Sequence, residues 1–322
     1  MQYTRLGRTG LQASVAGLGC GGFSRLGQGT GRSEAESVAV VGRALDLGIN
    51  FLDTAHNYGT ERIVGKAIAG RDRDSVILST KAVITRDNAL RPADAVIAEL
   101  DQSLRDLAVD AVDVFHLHGV APWALEPALE SIVPALERER DKGKIRWLGI
   151  TETAPNDPGH DMLPRAIASD RFAVVMVAHH MLHQSAETRV YPVAIEHDVG
   201  TLVMFAVRVI FSKPGRLQET MRDLAARGIV SAALADDPDP LGFVVREGGA
   251  RDIVDAAYRY CRHQRGADVL LFGTGSIDHL ERNVASILAP ALDAAALDTL
   301  RETFAHLEGV GLDAPAPAVK PS

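Results

Sequence analysis

The sequence predicts an α/β protein, a (β/α)8 barrel with an N-terminal β-hairpin and a helical insertion after strand seven. Three observations predict it. Eight short apolar runs alternate with helical patterns along the 322 residues. The runs are apolar on nearly every residue, as strands covered on both faces must be. Their starts lie a few tens of residues apart, the size of one strand-helix repeat, except for a final gap twice as long.

Each element follows in order. The opening "MQYTRLGRTGLQASVAG" alternates around a Gly-Arg-Thr-Gly turn and reads as a hairpin ahead of the barrel. The strands are "SVAGLG" near 15, "INFLD" near 50, "SVILSTK" near 76, "AVDVFHLH" near 112, "KIRWLGIT" near 145, "FAVVMVA" near 173, "GTLVMFAV" near 200 and "DVLLFGTG" near 268. Between them, "EAESVAVVGRALDLG", "TERIVGKAIAG", "PADAVIAELDQSLRDLA", "ALEPALESIVPALERERDKG" and "AETRVYPVAIEHDVG" place apolar residues three and four apart, the helical period. A shorter helix follows from "DMLPRAIASD". The insertion, from about 207 to 267, contains "SKPGRLQETMRDLAARG" and "RDIVDAAYRYCRHQRG", both helix-like. Residues 1–322 read as a single domain whose Pro- and Ala-rich tail, from about 313, is expected to be loose.

Composition narrows the function classes. An apolar content of 46% with 24% charge suits a soluble globular chain able to bury a large core. The net charge of -8, with no lysine or arginine block, argues against nucleic acid as a partner. No stretch approaches the roughly 20 apolar residues of a membrane span. The polar N-terminus and the presence of only Cys20 and Cys261 point to a reducing cytoplasm rather than export. "GLGCGGFS" superficially matches a dinucleotide fingerprint but lacks the helix that should follow it. No G-x-S-x-G or H-E-x-x-H occurs, and neither His116 and His118 nor the pair His179 and His180 has ligands at familiar metal spacing, so no metal is expected.

The chemistry concentrates at strand ends. Asp53 ends "INFLD", Lys81 ends "VILSTK" and His118 ends "VFHLH". In a (β/α)8 barrel the C-terminal strand ends open onto one face, so these residues converge. Tyr58 follows Asp53 at the Gly59 turn and leans over the same mouth. A phenol titrates near ~10, so at neutral pH Tyr58 is a proton donor, and an ammonium beside it makes it a better one. Asp53 fixes Lys81, and the His118 imidazole orients a carbonyl or shares its proton. No member of the set is a nucleophile; it suits hydride delivery to a carbonyl carbon while an acid protonates the oxygen, with the hydride from a bound cofactor.

The stretches "GINFLDTAHNYGTERIVGKAI", "VILSTK", "VDAVDVFHLH", "GKIRWLGIT" and "FGTGSIDHLERNVASI" resemble the aldo-keto reductases across almost the whole chain. D-T-A-x-x-Y-G-x-E followed by S-T-K is a specific pattern. The resemblance implies a TIM barrel, no metal, and a catalytic tetrad of Asp53, Tyr58, Lys81 and His118. It also implies NADP, with NAD open, lying across the mouth without a Rossmann domain. Its implied cofactor contacts are Thr151, Glu152 and Met176 at the nicotinamide carboxamide, Phe205 under the ring and Arg208, with Lys213, at the pyrophosphate. At the adenosine end they are Gly273, Thr274, Arg282 and Asn283, with His279 beside them. Here Glu152 and Met176 stand where the family usually has asparagine and glutamine, and Gly273 and His279 where many members carry lysine and arginine. His116 is expected to be a hydrogen-bonded core histidine. His179 and His180 should face opposite ways, and Trp123 either floors a pocket or anchors the rim.

The expected activity is interconversion of a carbonyl (aldehyde, ketone or sugar) and an alcohol, with a small-molecule substrate, no nucleic-acid or membrane partner, and no oligomeric state indicated. Two other readings follow from the resemblance and from where this chain departs from it. One is a cofactor-binding regulatory module resembling potassium-channel β subunits; the other is a degenerate reductase with a weakened cofactor site.

Overall fold

The structure, a computed structural model, describes residues 1–312; the expected loose tail lies outside the described residues. The hairpin consists of β1 (Tyr3–Arg5) and β2 (Gln12–Ser14), antiparallel with Tyr3 opposite Ser14. The barrel strands are β3 (Ala16–Gly19), β4 (Phe51–Asp53), β5 (Ile77–Val83), β8 (Val112–Val120), β9 (Ile145–Glu152), β10 (Val174–Ala178), β11 (Gly200–Met204) and β12 (Val269–Phe272). Two further strands, β6 (Thr85–Arg86) and β7 (Ala89–Leu90), form a small hairpin after β5. The eight barrel strands close in chain order, all parallel, with β12 returning to pair β3. All eight apolar runs therefore supply strands.

Helices follow the strands. They are α1 (Glu34–Asp46), α2 (Glu61–Ile68), α3 (Ala93–Leu107), α4 (Leu125–Asp141), α5 (Met162–Ala168), α6 (Ala186–Arg189) and α7 (Tyr191–Glu196). The insertion after β11 holds α8 (Val209–Ser212), α9 (Arg216–Ala226), α10 (Ala232–Asp236), α11 (Gly242–Arg246) and α12 (Ile253–Arg262). Its two helix-like segments became α9 and α12; the three shorter helices carry too few turns for a period to show. After β12 come α13 (Ile277–Ile287) and α14 (Ala294–Phe304). Ser33 opens α1 with a capping box to Glu36, satisfying two amides the helix leaves unbonded.

Two apolar layers hold the barrel. The larger lies between strands and helices; the smaller fills the barrel itself with Phe51, Ile77, Val114, Val174, Met176, Leu202 and Val269. Leu6, carried on the hairpin turn and fully buried, joins that inner layer and closes the N-terminal end. Gly7 makes the closure possible. Its φ is +47°, and a Cβ there would lie 2.2 Å from the Gly200 nitrogen. With one end plugged, chemistry is left to the other.

Candidate active site

The strand ends place the tetrad at the open end of the barrel. Register sets Asp53 level with Ser79 and Lys81 level with His116. Lys81 Nζ donates to Asp53 Oδ2 at 2.6 Å and to the Thr54 carbonyl at 2.8 Å, and both ionic side chains are buried. Asp53 Oδ1 accepts from Ser79 Oγ at 2.8 Å. Breaking such a buried pair would strand a charge, so the pair is fixed as a unit.

Tyr58 sits on a short 3-10 turn, His56–Tyr58, that closes with Gly59 at φ +73°. Its ring centroid lies 5.0 Å from Lys81 Nζ and 5.6 Å from the His118 ring, edge-on. Gly21 gives that ring its room, since a Cβ there would lie 2.2 Å from a ring carbon. The turn is anchored from behind. Thr54 and Thr60 hydroxyls bond at 3.0 Å, and buried Glu61 accepts from Thr80 Oγ1 at 2.6 Å.

Burial and charge set the protonation states. Burial raises the Tyr58 phenol above its ordinary 10.0, while the Lys81 charge pulls the other way. Burial opposes the charge on Lys81, yet Asp53 and then Tyr58 outweigh it and leave its pKa above 10.5. For His118, burial and then Lys81 push the imidazole down to about 3. At neutral pH the site thus holds a protonated phenol, a charged lysine and a neutral imidazole.

The remaining expected contacts divide. Thr151 is buried and its Oγ1 accepts the Gly119 amide at 2.7 Å. Each oxygen of Glu152 already holds a donor, Ala178 N at 2.7 Å and His160 Nδ1 at 2.7 Å, and the side chain is closed to solvent. Met176 packs inside the barrel. Phe205 has φ +74°, and the Arg208 guanidinium lies 4.1 Å from its ring centroid and 5.7 Å from that of Phe23. Gly273 faces the strand ends: a Cβ there would lie 3.3 Å from the Gly19 carbonyl oxygen and 3.8 Å from that of Gly21. Thr274 is buried, its Oγ1 accepting from the Ser276 amide at 3.1 Å, while Ser276 caps α13 through the His279 amide. Arg282 and His279 are exposed on α13, Asn283 is half-buried there, and Lys213 is exposed after α8.

His116, His179 and His180 behave as packing groups. His116 is fully buried and bonds Ser79 Oγ at 3.1 Å; Gly149 of β9 makes space for its ring. His179 stacks on Tyr260 at 5.2 Å, whereas His180 turns to Phe211 and His183. Both are fully buried. Trp123 is 49% exposed, so it is not an anchor sunk in the rim. Among the described residues, no group of three or more histidine, cysteine or acidic side chains could hold a metal ion, and no helix is long and apolar enough to cross a membrane.

Ser79, Gly21 and His160 escaped the sequence reading. Ser79 ties Asp53 to His116, and its place two residues before Lys81 on one strand put it on the same face. His160 lies in an irregular loop with φ +57°, and nothing in "NDPGHD" marks it as the partner of Glu152.

The C-terminal mouth of a parallel eight-stranded barrel thus carries a buried Asp-Lys pair, a phenol and a neutral imidazole, groups able to exchange a proton with one oxygen. Residues 17–304 match the model of the aldo/keto reductase family. The chain belongs to that family, and is an oxidoreductase. It is 27% identical to L-galactose dehydrogenase of Arabidopsis thaliana over 319 residues, covering 96% of this chain and 95% of that protein. It is 33% identical to aldo-keto reductase YhdN of Bacillus subtilis over 212 residues, 63% of this chain and 61% of that one. Among solved structures, aldo-keto reductase AKR11C1 from Bacillus halodurans superposes with TM-score 0.70 at 25% identity, covering 97% of this chain and all of that one. An aldo-keto reductase from Klebsiella pneumoniae in complex with NADPH superposes at 0.67 with 21% identity, over 94% and 95% of the two chains, a likeness of fold.

Proposed function

We propose that this protein reduces aldehydes, ketones or sugar carbonyls, or oxidises the matching alcohols, with NADP(H) and with Tyr58 as the proton donor or acceptor. The observation that carries the reading is the phenol of Tyr58 held between Lys81 and His118, 5.0 Å and 5.6 Å from its ring centroid.

The residues present fit a nicotinamide dinucleotide. Between β3 and β12 the backbone of Gly19, Gly21 and exposed Gly273 comes together, and a Cβ on Gly273 would lie 3.3 Å from the Gly19 carbonyl oxygen. Just beyond, α13 begins with amides that have no partner inside the helix, a site suited to phosphate. Phe205 offers a ring face that Arg208 covers in this structure. Phe205 would carry the nicotinamide ring, Arg208 the pyrophosphate, Gly273 and Thr274 the ribose side, and Arg282 and Asn283 the adenosine end. Thr151 would meet the carboxamide. Met176 supports that end only by packing, and Glu152 by holding the Ala178 and His160 loops. Such a cofactor supplies the hydride for the carbonyl carbon.

The chain's own residues handle the oxygen. His118, neutral at physiological pH, donates one N–H to the carbonyl oxygen and orients it; it has no proton to spare for transfer. Tyr58 gives up its phenolic proton as negative charge develops on that oxygen. Lys81 stabilises the phenolate left behind, and Asp53 keeps Lys81 charged and in place. Alcohol oxidation runs the same proton path backwards.

Tyr58→Phe is the test. It removes only the hydroxyl, leaving the ring packed on Gly21. The expected result is unaltered quenching of intrinsic fluorescence by NADPH, with turnover of an aldehyde and sugar panel lower by roughly 100- to 10,000-fold. Turnover equal to wild type would remove Tyr58 from the chemistry, and a wild-type protein that fails to quench with NADPH or NADH would remove the cofactor.

A further inference from the structure

We propose that Thr151 is a positioning residue for His118, acting through a bulge in β8. The inference rests on the reading of His118 as a site residue and assigns Thr151 a task separate from any contact with cofactor.

In the β8–β9 ladder, Leu117 pairs with Ile150 and Val120 pairs with Glu152. His118 and Gly119 together therefore oppose Thr151 alone. An inserted residue of this kind unpairs part of the ladder, bends the strand and re-aims the neighbouring side chain. Gly119 takes φ +63°, a left-handed conformation that costs a residue with a Cβ but not glycine. Its displaced amide, which a regular ladder would have bonded, donates to Thr151 Oγ1 at 2.7 Å. Thr151 is buried, so water does not compete for that oxygen.

The two histidines of this strand lie at different depths. His116, in the regular part, stays fully buried and bonded to Ser79 at 3.1 Å. His118, at the bulge, is half-buried and presents its ring to Tyr58 at 5.6 Å. The hydroxyl of residue 151 thus replaces a ladder acceptor where the strand lifts, and holds the lift that aims His118. Valine has the shape of threonine without the acceptor; serine keeps the acceptor.

The test compares Thr151→Val, Thr151→Ser and Gly119→Ala in the full chain. The probes are histidine-ring NMR of the cofactor-free protein, with His118 assigned from His118→Gln, and steady-state reduction of p-nitrobenzaldehyde by NADPH. Thr151→Val is expected to shift the His118 ring resonances and lower kcat roughly tenfold, beyond whatever loss of a carboxamide contact adds to the KM for NADPH. Thr151→Ser restores both. Gly119→Ala, whose Cβ would meet nothing within 4 Å, reproduces both effects through backbone conformation alone and carries the test if Thr151→Val does not fold. His118 resonances unmoved in both Thr151→Val and Gly119→Ala would overturn the proposal, as would a Thr151→Val whose loss appears in the KM for NADPH alone. Because the resonances are read without cofactor or turnover, failure of the reductase reading leaves this result separately decided.

Discussion

Mild acid should weaken this fold steeply, and the sign follows from where its histidines lie. Burial, the largest cause at each, holds His118, His179 and His183 down to about 3, and holds His116 and His180 well below 6.5. Unfolded, the same rings take up protons below about 6.5. The unfolded state then binds more protons than the folded one, so stability is whole above pH 6.5 and drains away as pH falls toward 3. Between about pH 6.5 and 5.5, one such ring costs about 1 kcal/mol, so the three held near 3 remove about 3 kcal/mol together, with His116 and His180 adding to it. Buried carboxyls act in the opposite sense. Burial raises Asp268 to about 6, so the folded state gains its proton first and recovers under about 1 kcal/mol over the same range. Burial also raises Glu61 and Glu152, with the same sign. The net loss is a large share of the roughly 5–15 kcal/mol that a folded protein has. Urea unfolding followed by tryptophan fluorescence at about pH 7.5, 6.5 and 5.5 measures it. His179→Phe, in a fully buried position beside Tyr191 and Tyr260, should flatten the slope by about 1 kcal/mol per pH unit. A midpoint that holds steady or rises between pH 6.5 and 5.5 would refute the assignment of neutral buried rings.

Two further predictions concern the mouth of the barrel. Gly21→Ala forces the Tyr58 ring aside, because the new Cβ would lie 2.2 Å from a ring carbon. It should cost about 1–3 kcal/mol in urea unfolding and lower kcat by roughly 100-fold, and wild-type turnover in this variant would show that the ring's placement is immaterial. Arg208→Met keeps an apolar side chain over Phe205 but removes the charge. Fluorescence titration with NADPH should give a Kd weaker by roughly tenfold and a shallower salt dependence, whereas an unchanged Kd at both low and high salt would take Arg208 away from the phosphates.

Local patterns were enough to read the barrel and to gather Asp53, Tyr58, Lys81 and His118 at one mouth. Strands buried on both faces declare themselves as unbroken apolar runs, and the ionisable residues at or near their C-terminal ends, Asp53, Lys81 and His118, come to one end of the barrel once the strands are parallel and closed, although β5 and β8 each run two residues further than the sequence suggested. The hairpin and the insertion were legible for the same reason, since a turn sequence and a doubled repeat length are properties of neighbouring residues. Tertiary structure decided whatever depends on residues far apart in sequence. Glu152 looked open to an amide until the chain brought Ala178 and His160 to its two oxygens. Phe205 and Arg208, three positions apart, became a cation-ring pair, with the Phe23 ring 5.7 Å from the same guanidinium. The protonation of His118 belongs to this second kind, because desolvation and the distance to Lys81 exist only after folding. So does its aim. Period-two alternation put His116 and His118 on one face with His116 the deeper core residue, whereas the extra residue at Gly119, its amide on Thr151 of the neighbouring strand, carries no local sequence mark.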